Sequence, residues 1–141
     1  MEFKVTDCSE EEVDRIYEGL TESVFECVPE LRKNKHFKIH KKIVDNNGAI
    51  IAGCIADGYW WNAVYVDALW VDERYRGRGL GSKLLDDIEN TAAENGCNLV
   101  HLDTFDFQAK DFYTKHGYEV FGILENSPEG HCRYYLKKVI K

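Results

Sequence analysis

The chain has 141 residues, 44% of them hydrophobic, which is enough for one hydrophobic core and too little for two. Its 18 Lys and Arg residues against 25 Asp and Glu give a net charge of −7 at pH 7, which argues against nucleic acid as a main partner. Because no apolar run approaches the roughly 20 residues that span a bilayer and no leader pattern opens the chain, we expect a single cytoplasmic domain over residues 1–141 without a membrane partner.

The first third of the chain predicts a strand, a helix and a β-hairpin. A short strand over residues 2–7 precedes Ser9 and Glu12, which have the spacing of a capping box at a helix N-terminus. The apolar residues that then recur at helical spacing are Val13, Ile16, Tyr17, Leu20 and Val24. A lysine-rich stretch over 29–42 leads into a strand, and Asn47-Gly48 predicts a tight turn to the next strand.

The rest of the chain alternates strands with helices. Residues 63–71 form a β-branched and aromatic run typical of a central strand, and a glycine-rich segment then leads into a helix that Gly96 ends. A strand over 98–105, a short helix within 107–117 and two further strands follow. Hairpins supply antiparallel pairs and a strand-helix-strand unit supplies a parallel one, so the order predicts an α/β (α+β) fold with a mixed sheet covered by helices.

Three alternating glycines, Gly77, Gly79 and Gly81, lie where the central strand gives way to the helix. Glycines permit positive φ and let a ligand approach the backbone, while the free N–H groups at a helix N-terminus favour an anion. Three arginines at alternate positions, 74 to 78, add positive charge in an otherwise acidic protein. The segment therefore predicts a phosphate cradle, and a tight turn with packing glycines is the weaker interpretation.

The spacing of residues in this segment limits the classes of phosphate ligand that the loop could bind. A nucleoside-triphosphate loop ends in Gly-Lys-Ser/Thr, whereas Gly81-Ser82-Lys83 has the inverted order. A dinucleotide fingerprint would need Gly or Ala where Ser82 stands, although Asp103 follows at a suitable distance. A nicotinamide-dinucleotide-binding protein therefore stays a minor alternative.

Two segments resemble the GNAT N-acetyltransferase superfamily. The run Arg76-Gly77-Arg78-Gly79-Leu80-Gly81 is similar to its Arg/Gln-x-x-Gly-x-Gly/Ala signature. The second segment is similar to its Ala-x-x-x-Tyr-x-Lys-x-Gly-Phe/Tyr pattern, through Ala109, Tyr113, Lys115, Gly117 and Tyr118. The order of elements resembles the family over most of the chain, which implies a mostly antiparallel central β-sheet of six to seven strands, flanked by helices, with a splayed central strand.

The resemblance implies acetyl-CoA as the cofactor. Its pyrophosphate would be held by the loop, on Arg76, Gly77, Arg78, Gly79, Leu80, Gly81 and Ser82. Its pantetheine arm would pair with the central strand at Leu69, Trp70 and Val71. Many relatives carry an Asn seven residues before the tyrosine; this chain has Asp106 there, and Gln108 is the nearest amide.

Tyr113 matches the tyrosine that the family places near the sulfur as a general acid for the departing thiolate, and a packing role stays open. The family has no fixed base for the attacking amine. Asp67 is the first candidate, since a carboxylate within a strand is either hydrogen-bonded for structure or directed into the cleft. Asp103 and His131 are further candidates, and a base acting through ordered water is equally compatible.

These features predict an acyltransferase, an acetyl-CoA-dependent N-acetyltransferase acting on a primary amine of a small molecule by direct attack in a ternary complex. A non-catalytic CoA-binding sensor or scaffold is the main alternative. The aromatic run Tyr59, Trp60 and Trp61 is either a wall for the amine, core or a dimer surface, so a homodimer is compatible with it. Five cysteines without any Cys-x-x-Cys spacing predict free thiols and no metal site.

Overall fold

The computed structural model describes residues 1–33, 36–59 and 61–140. It divides the chain into two compact units, within residues 1–34 and 35–141. Trp60 of the aromatic run and positions 34–35 of the lysine-rich stretch lie outside the described residues. Within the described ranges, no helix has the length and apolar character needed to cross a membrane. The single domain over 1–141 stays a prediction.

The first unit contains helix α1, Glu10–Cys27, and a 3-10 helix, Pro29–Lys33. The predicted capping box is present: the Glu12 N–H donates to Ser9 Oγ at 3.3 Å, and the Ser9 N–H donates to Glu12 Oε1 at 2.9 Å. The predicted strand over residues 2–7 is wrong, because this segment has no regular secondary structure. An alternating pattern forms a strand only when a neighbouring strand satisfies its backbone groups.

The second unit is built on a sheet whose six strands, within the described residues, have the order β1-β2-β3-β4-β6-β5. The strands are β1 Phe37–Val44, β2 Ile50–Tyr59, β3 Ala63–Val71, β4 Leu99–Phe105, β5 Glu119–Glu125 and β6 Cys132–Val139. Only β3 and β4 pair in parallel; the other four pairings are antiparallel. The predicted mixed, mostly antiparallel sheet is confirmed.

Helix α2, Leu80–Glu94, covers one face of this sheet. Its buried residues are Leu84, Leu85, Ile88 and Ala92, which belong to one cluster with alternate residues of β2, β3 and β4. The helix ends as predicted, since Gly96 has a φ of +81°. A second, short helix, α3, spans Lys110–Lys115 and places Tyr113 and Phe112 against the same cluster.

The central strands β3 and β4 form a fork. They pair only from Ala63↔Leu99 to Val66↔Leu102, although β3 continues to Val71 and β4 to Phe105. A β-bulge in β3 lies directly at this point, because Val66 pairs with Ala56 whereas Ala68 pairs with Ile55. The divergence agrees with the predicted splayed strand and leaves one backbone edge of β3 open beyond Val66.

Candidate functional site

A cavity of about 450 Å³ lies where β3 and β4 diverge. Its walls come from the end of β3, the loop before α2 and the connection from β4 into α3. The lining residues are Leu69, Trp70, Val71, Arg76, Gly81, Phe107, Gln108, Ala109, Phe112 and Tyr113. The tertiary structure thus brings the β3 segment, the start of α2, Gln108 and Tyr113 to one cleft.

The loop before α2 exposes backbone N–H groups. Gly77 and Gly79 have φ values of +78° and +79°, and a Cβ at either position would meet open space. Gly79 caps α2 without any side-chain hydrogen bond, and the first turn of α2 holds no acidic residue. Since helix geometry gives the N–H groups of residues 80–82 no intrahelical acceptor, this end of α2 favours an anion.

Gly81 is a glycine for a different reason. It lies inside the first turn of α2, where an added Cβ would stand 3.3 Å from Phe112 Cζ and 3.8 Å from Val71 Cγ2. Its missing side chain lets α2 approach α3 and the end of β3 closely. Gly81 therefore shapes the cleft by packing, whereas Gly77 and Gly79 shape the loop by their backbone conformation.

The arginines around the glycines take different roles. Arg74 is bound to Asp72, whose pKa it holds at about 2 through hydrogen bonds to the carboxylate. Arg78 lies with its guanidinium 5.1 Å from the centroid of a tyrosine ring in the same loop. Arg76 lines the cleft, and its Nε donates to the backbone oxygen of Val71 at 3.1 Å. Arg76 is thus the arginine placed to meet an anion in the cleft.

Tyr113 lies on α3 and is 7% exposed. Burial raises the pKa of its phenol to about 12, so the group is protonated throughout the neutral range. Its hydroxyl makes no hydrogen bond to another described residue. Among the described residues no fully buried polar side-chain atom lacks a partner, so this hydroxyl is accessible from the cleft. The O–H is therefore available to a ligand in the cleft.

Asp106, seven residues before Tyr113, has a structural role here. Its carboxylate accepts the N–H of Cys132 at 2.8 Å and the Nδ1–H of His131 at 2.9 Å. The backbone N–H of Cys132, and then His131, lower the pKa of Asp106. His131 is thereby held at the start of β6 and does not line the cleft.

Gln108 lies on the cleft wall two residues further along the chain. Its amide oxygen accepts the Phe105 N–H at 3.0 Å and the Thr104 hydroxyl at 3.3 Å. With the oxygen committed to the end of β4, the side-chain NH₂ group is the part of Gln108 left for a ligand.

Asp67 is the extra residue of the bulge in β3 and is exposed. Its carboxylate makes no hydrogen bond or ion pair with any residue that the structure describes, but its charge contributes to the raised pKa of Tyr65. Asp67 is therefore not a buried carboxylate that hydrogen bonds hold for a structural role. Asp67 lies at the base of the fork, outside the lining of the cavity, and its role as a base stays a prediction.

Sequence reasoning missed a network on the sheet face opposite α2. The Tyr65 hydroxyl donates to Asp103 Oδ2 at 2.6 Å, and the guanidinium of Arg133 donates to Asp103 Oδ1 at 2.7 and 3.0 Å. Both carboxylate oxygens of Asp103 are thus engaged, which makes Asp103 a poor candidate for a free base. The only sequence signal was the alternation of polar residues along β3 and β4, which places them on one face.

The structure describes Tyr59 and Trp61 of the aromatic run, whose role as a wall for the amine, core or dimer surface stays open. Tyr59 lies at the end of β2, and its hydroxyl hydrogen-bonds with Nε2 of His101 on the sheet. Burial lowers the pKa of His101, so its imidazole is neutral at pH 7. Trp61 lies in the turn after β2 with a φ of +56° and is exposed.

Alkaline pH is expected to destabilise the second unit through its buried tyrosines. Burial and the bond to Asp103 raise the pKa of Tyr65 to about 12, burial raises that of Tyr113 to about 12, and burial with Glu89 raises that of Tyr118. Above pH 10 the unfolded chain loses tyrosine protons that the folded chain retains, so stability is full below pH 10 and falls as pH rises towards 12.

Urea unfolding between pH 7 and pH 11.5 measures this fall directly. The variant Tyr113→Phe removes one such proton, and we expect a shallower decline of its unfolding free energy above pH 10 than in the parent chain. Identical slopes for the two proteins would contradict the assignment of a raised pKa to Tyr113.

Known proteins resemble this chain in sequence and in fold. Residues 6–118 match the sequence model of the acetyltransferase (GNAT) family. A crystal structure of an acetyltransferase from Bacillus cereus ATCC 14579 is 33% identical, with a TM-score of 0.91 and 97% of each chain covered.

Two further proteins are similar over shorter lengths. Blasticidin-S acetyltransferase from Streptomyces morookaense is 38% identical over 89 residues, which are 62% of this chain and 65% of that protein, just under two thirds of its length. The crystal structure of an aminoglycoside 6'-N-acetyltransferase complexed with coenzyme A is 19% identical, with a TM-score of 0.64 and coverage of 82% and 79%, which shows a shared fold.

Proposed function

Since the chain belongs to the acetyltransferase (GNAT) family, we propose that it transfers an acetyl group from acetyl-CoA to a primary amine of a small molecule, by direct attack within a ternary complex. One observation carries the proposal: a single cleft joins an uncapped helix N-terminus, an open backbone edge of β3 and the free hydroxyl of Tyr113. Anion binding, alignment of an extended arm and proton donation are the three tasks that such a transfer needs.

The described residues fit acetyl-CoA. Residues 76–82 would hold the pyrophosphate, through the N–H groups at the start of α2 and the guanidinium of Arg76. Leu69, Trp70 and Val71 lie beyond the last β3–β4 pair, so their backbone groups on this edge of β3 are not paired with β4. The extended arm of the cofactor could form hydrogen bonds with this edge as a neighbouring strand would. A protein of the same fold was crystallised with coenzyme A, which supports this fit. Acetyl-CoA supplies the acetyl group as a reactive thioester.

The chain's own residues would then manage the protons. Tyr113, protonated at neutral pH, would donate its phenolic proton towards the sulfur as the thiolate leaves. Asp67, an exposed carboxylate without an ion-pair partner among the described residues, would accept the proton that the amine releases on attack. The N–C bond forms as the C–S bond breaks: the amine gives one proton to Asp67, and the leaving thiolate takes one from Tyr113. Exchange with solvent then removes the proton from Asp67 and returns one to Tyr113, so the protons balance.

Calorimetric titration with acetyl-CoA, followed by a thiol-release assay in the same sample, tests the proposal. The amines tested are spermidine, blasticidin S, amino acids, an aminoglycoside and a lysine peptide. Binding of acetyl-CoA with release accelerated by at least one amine is the expected result. Binding without release from any amine would favour a CoA-binding sensor instead, and no binding would remove the cleft assignment.

The role of Asp67 can be separated from that of the cofactor site. For Asp67→Asn we expect kcat to fall about 100-fold, because a positioned base contributes on the order of 10² to 10⁴ to such a step. The dissociation constant of acetyl-CoA should stay unchanged, because Asp67 does not line the cavity. Asp57→Asn, which neutralises a half-buried carboxylate on neighbouring β2, is the control. An unchanged kcat in Asp67→Asn would leave ordered water as the base.

A further inference from the structure

The network of Tyr65, Asp103 and Arg133 bridges the base of the fork. Tyr65 lies on β3 one residue before the last β3–β4 pair, and Asp103 is the first residue of β4 beyond it. Arg133 reaches Asp103 from β6 on the far side of β4. By the alternation of side chains along a strand, all three lie on the sheet face opposite α2.

This network lies at the point where β3 and β4 separate, next to the bulge that carries Asp67. The charge of Asp103 contributes to the raised pKa of Tyr113, and that of Asp67 contributes to the raised pKa of Tyr65. The proposed acetyl-CoA arm would fill the cavity beside α2 and α3, so an amine must reach the thioester from the other side of the fork. That is the side on which Tyr65, Asp67 and Asp103 lie.

The hydrogen bonds determine which way the Tyr65 hydroxyl points. A phenol has one proton to donate and lone pairs that accept. Its proton is directed to Asp103 Oδ2 at 2.6 Å, and Asp103 is itself held by two N–H groups of Arg133. What Tyr65 can still offer to a ligand is a lone pair, which accepts a hydrogen bond and cannot donate one.

We propose that Arg133, acting through Asp103, orients the Tyr65 hydroxyl so that its oxygen accepts an N–H from the acceptor amine. Tyr65 is then an acceptor-binding residue, and Asp103 and Arg133 are positioning residues. The inference rests on the proposed function and deepens it: the acceptor presents N–H groups at this point. An acceptor with a carboxylate next to its amine is disfavoured, because both the Tyr65 oxygen and Asp67 would face that anion.

Spermidine is the probe, since it is rich in N–H groups and carries no carboxylate. Its binding to the CoA-saturated protein is measured by calorimetry, and its KM and kcat by thiol release. For Tyr65→Phe we expect the Kd and KM of spermidine to rise about 10-fold, the effect of one hydrogen bond to a charged donor, with acetyl-CoA affinity unchanged. Tyr135→Phe removes a hydroxyl from the same sheet face and should change neither value.

Arg133 is tested by a double-mutant cycle. Arg133→Met should weaken spermidine about as much as Tyr65→Phe, and the double variant should be no weaker than either single one, because both changes remove the same interaction. Arg133→Lys, which keeps a cation near Asp103, should recover part of the affinity. Lys137→Met, which removes a cation from the same strand and face, is the matched control. Thermal unfolding of every variant separates binding effects from misfolding.

The outcomes distinguish the two proposals. Three outcomes would each overturn the role of Tyr65, even if other amines are acetylated. They are unchanged spermidine affinity in Tyr65→Phe, additive losses in the double variant, and no binding of spermidine to the CoA-saturated protein. The variants could also change spermidine binding as expected while no amine accelerates thiol release. That result would support the role of Tyr65 as a binding residue and overturn the proposed acetyl transfer.

Discussion

Gly79→Val is expected to weaken acetyl-CoA binding strongly while leaving the fold intact. Gly79 has a φ of +79°, a conformation that a β-branched residue does not adopt without strain, so the loop must move. The N–H groups at the start of α2 would then no longer converge on one anion. Because a Cβ at this position meets open space, the change causes no steric clash with the core. We expect acetyl-CoA affinity to fall about 30-fold or more, by loss of hydrogen bonds to a charged group.

Gly48→Val is the matched control for this experiment. Gly48 also has a positive φ, +83°, with open space around it, but it lies in the turn between β1 and β2. The backbone strain is therefore comparable, and acetyl-CoA affinity should not change. Calorimetry with both variants, together with circular dichroism, measures the difference. Wild-type affinity in Gly79→Val would return the glycine loop to a structural turn.

Tyr113→Phe is expected to lower kcat with little change in acetyl-CoA affinity. The substitution keeps the ring that packs against Phe112 and Tyr118 and removes a hydroxyl that is free to donate in the cleft. A general acid contributes on the order of 10² or more, but a thiolate is a good leaving group without one, so we expect a loss of about 10- to 100-fold. Thiol-release kinetics at saturating acetyl-CoA measure kcat, and calorimetry measures binding.

Tyr118→Phe serves as the control for removal of a buried phenol. The Tyr118 hydroxyl donates to Glu89 at 3.0 Å and does not line the cleft. Its loss should therefore lower the unfolding temperature and leave kcat unchanged. If Tyr113→Phe turns over at the wild-type rate, Tyr113 is a packing residue and the sulfur leaves without its help.

Local sequence patterns predicted one part of the candidate site, and long-range contacts decided another. The glycine segment was recognisable because residues adjacent in sequence build it, and its positive φ values follow from the residue type. The structure then separated Gly81 from the other two glycines, since it is the approach of Phe112 from α3 and Val71 from β3 that leaves little room for a side chain there. The same contrast holds for Asp106, whose bonds to residues 131 and 132 depend on the pairing of β4 with β6.

The sequence by itself determined the order of the elements from α1 onward, the capping of α1 and the turn at Asn47-Gly48, and it predicted an anion site in the loop before α2. These depend on interactions between residues a few positions apart, which composition and spacing encode directly. The tertiary structure alone decided that residues 2–7 form no strand, that β3 and β4 diverge after Val66, and that Arg133 holds Asp103 and thereby Tyr65. The pairings of β4 with β3 and with β6 join residues 28 or more positions apart. A sequence pattern specifies which face a side chain takes but not which neighbour it meets.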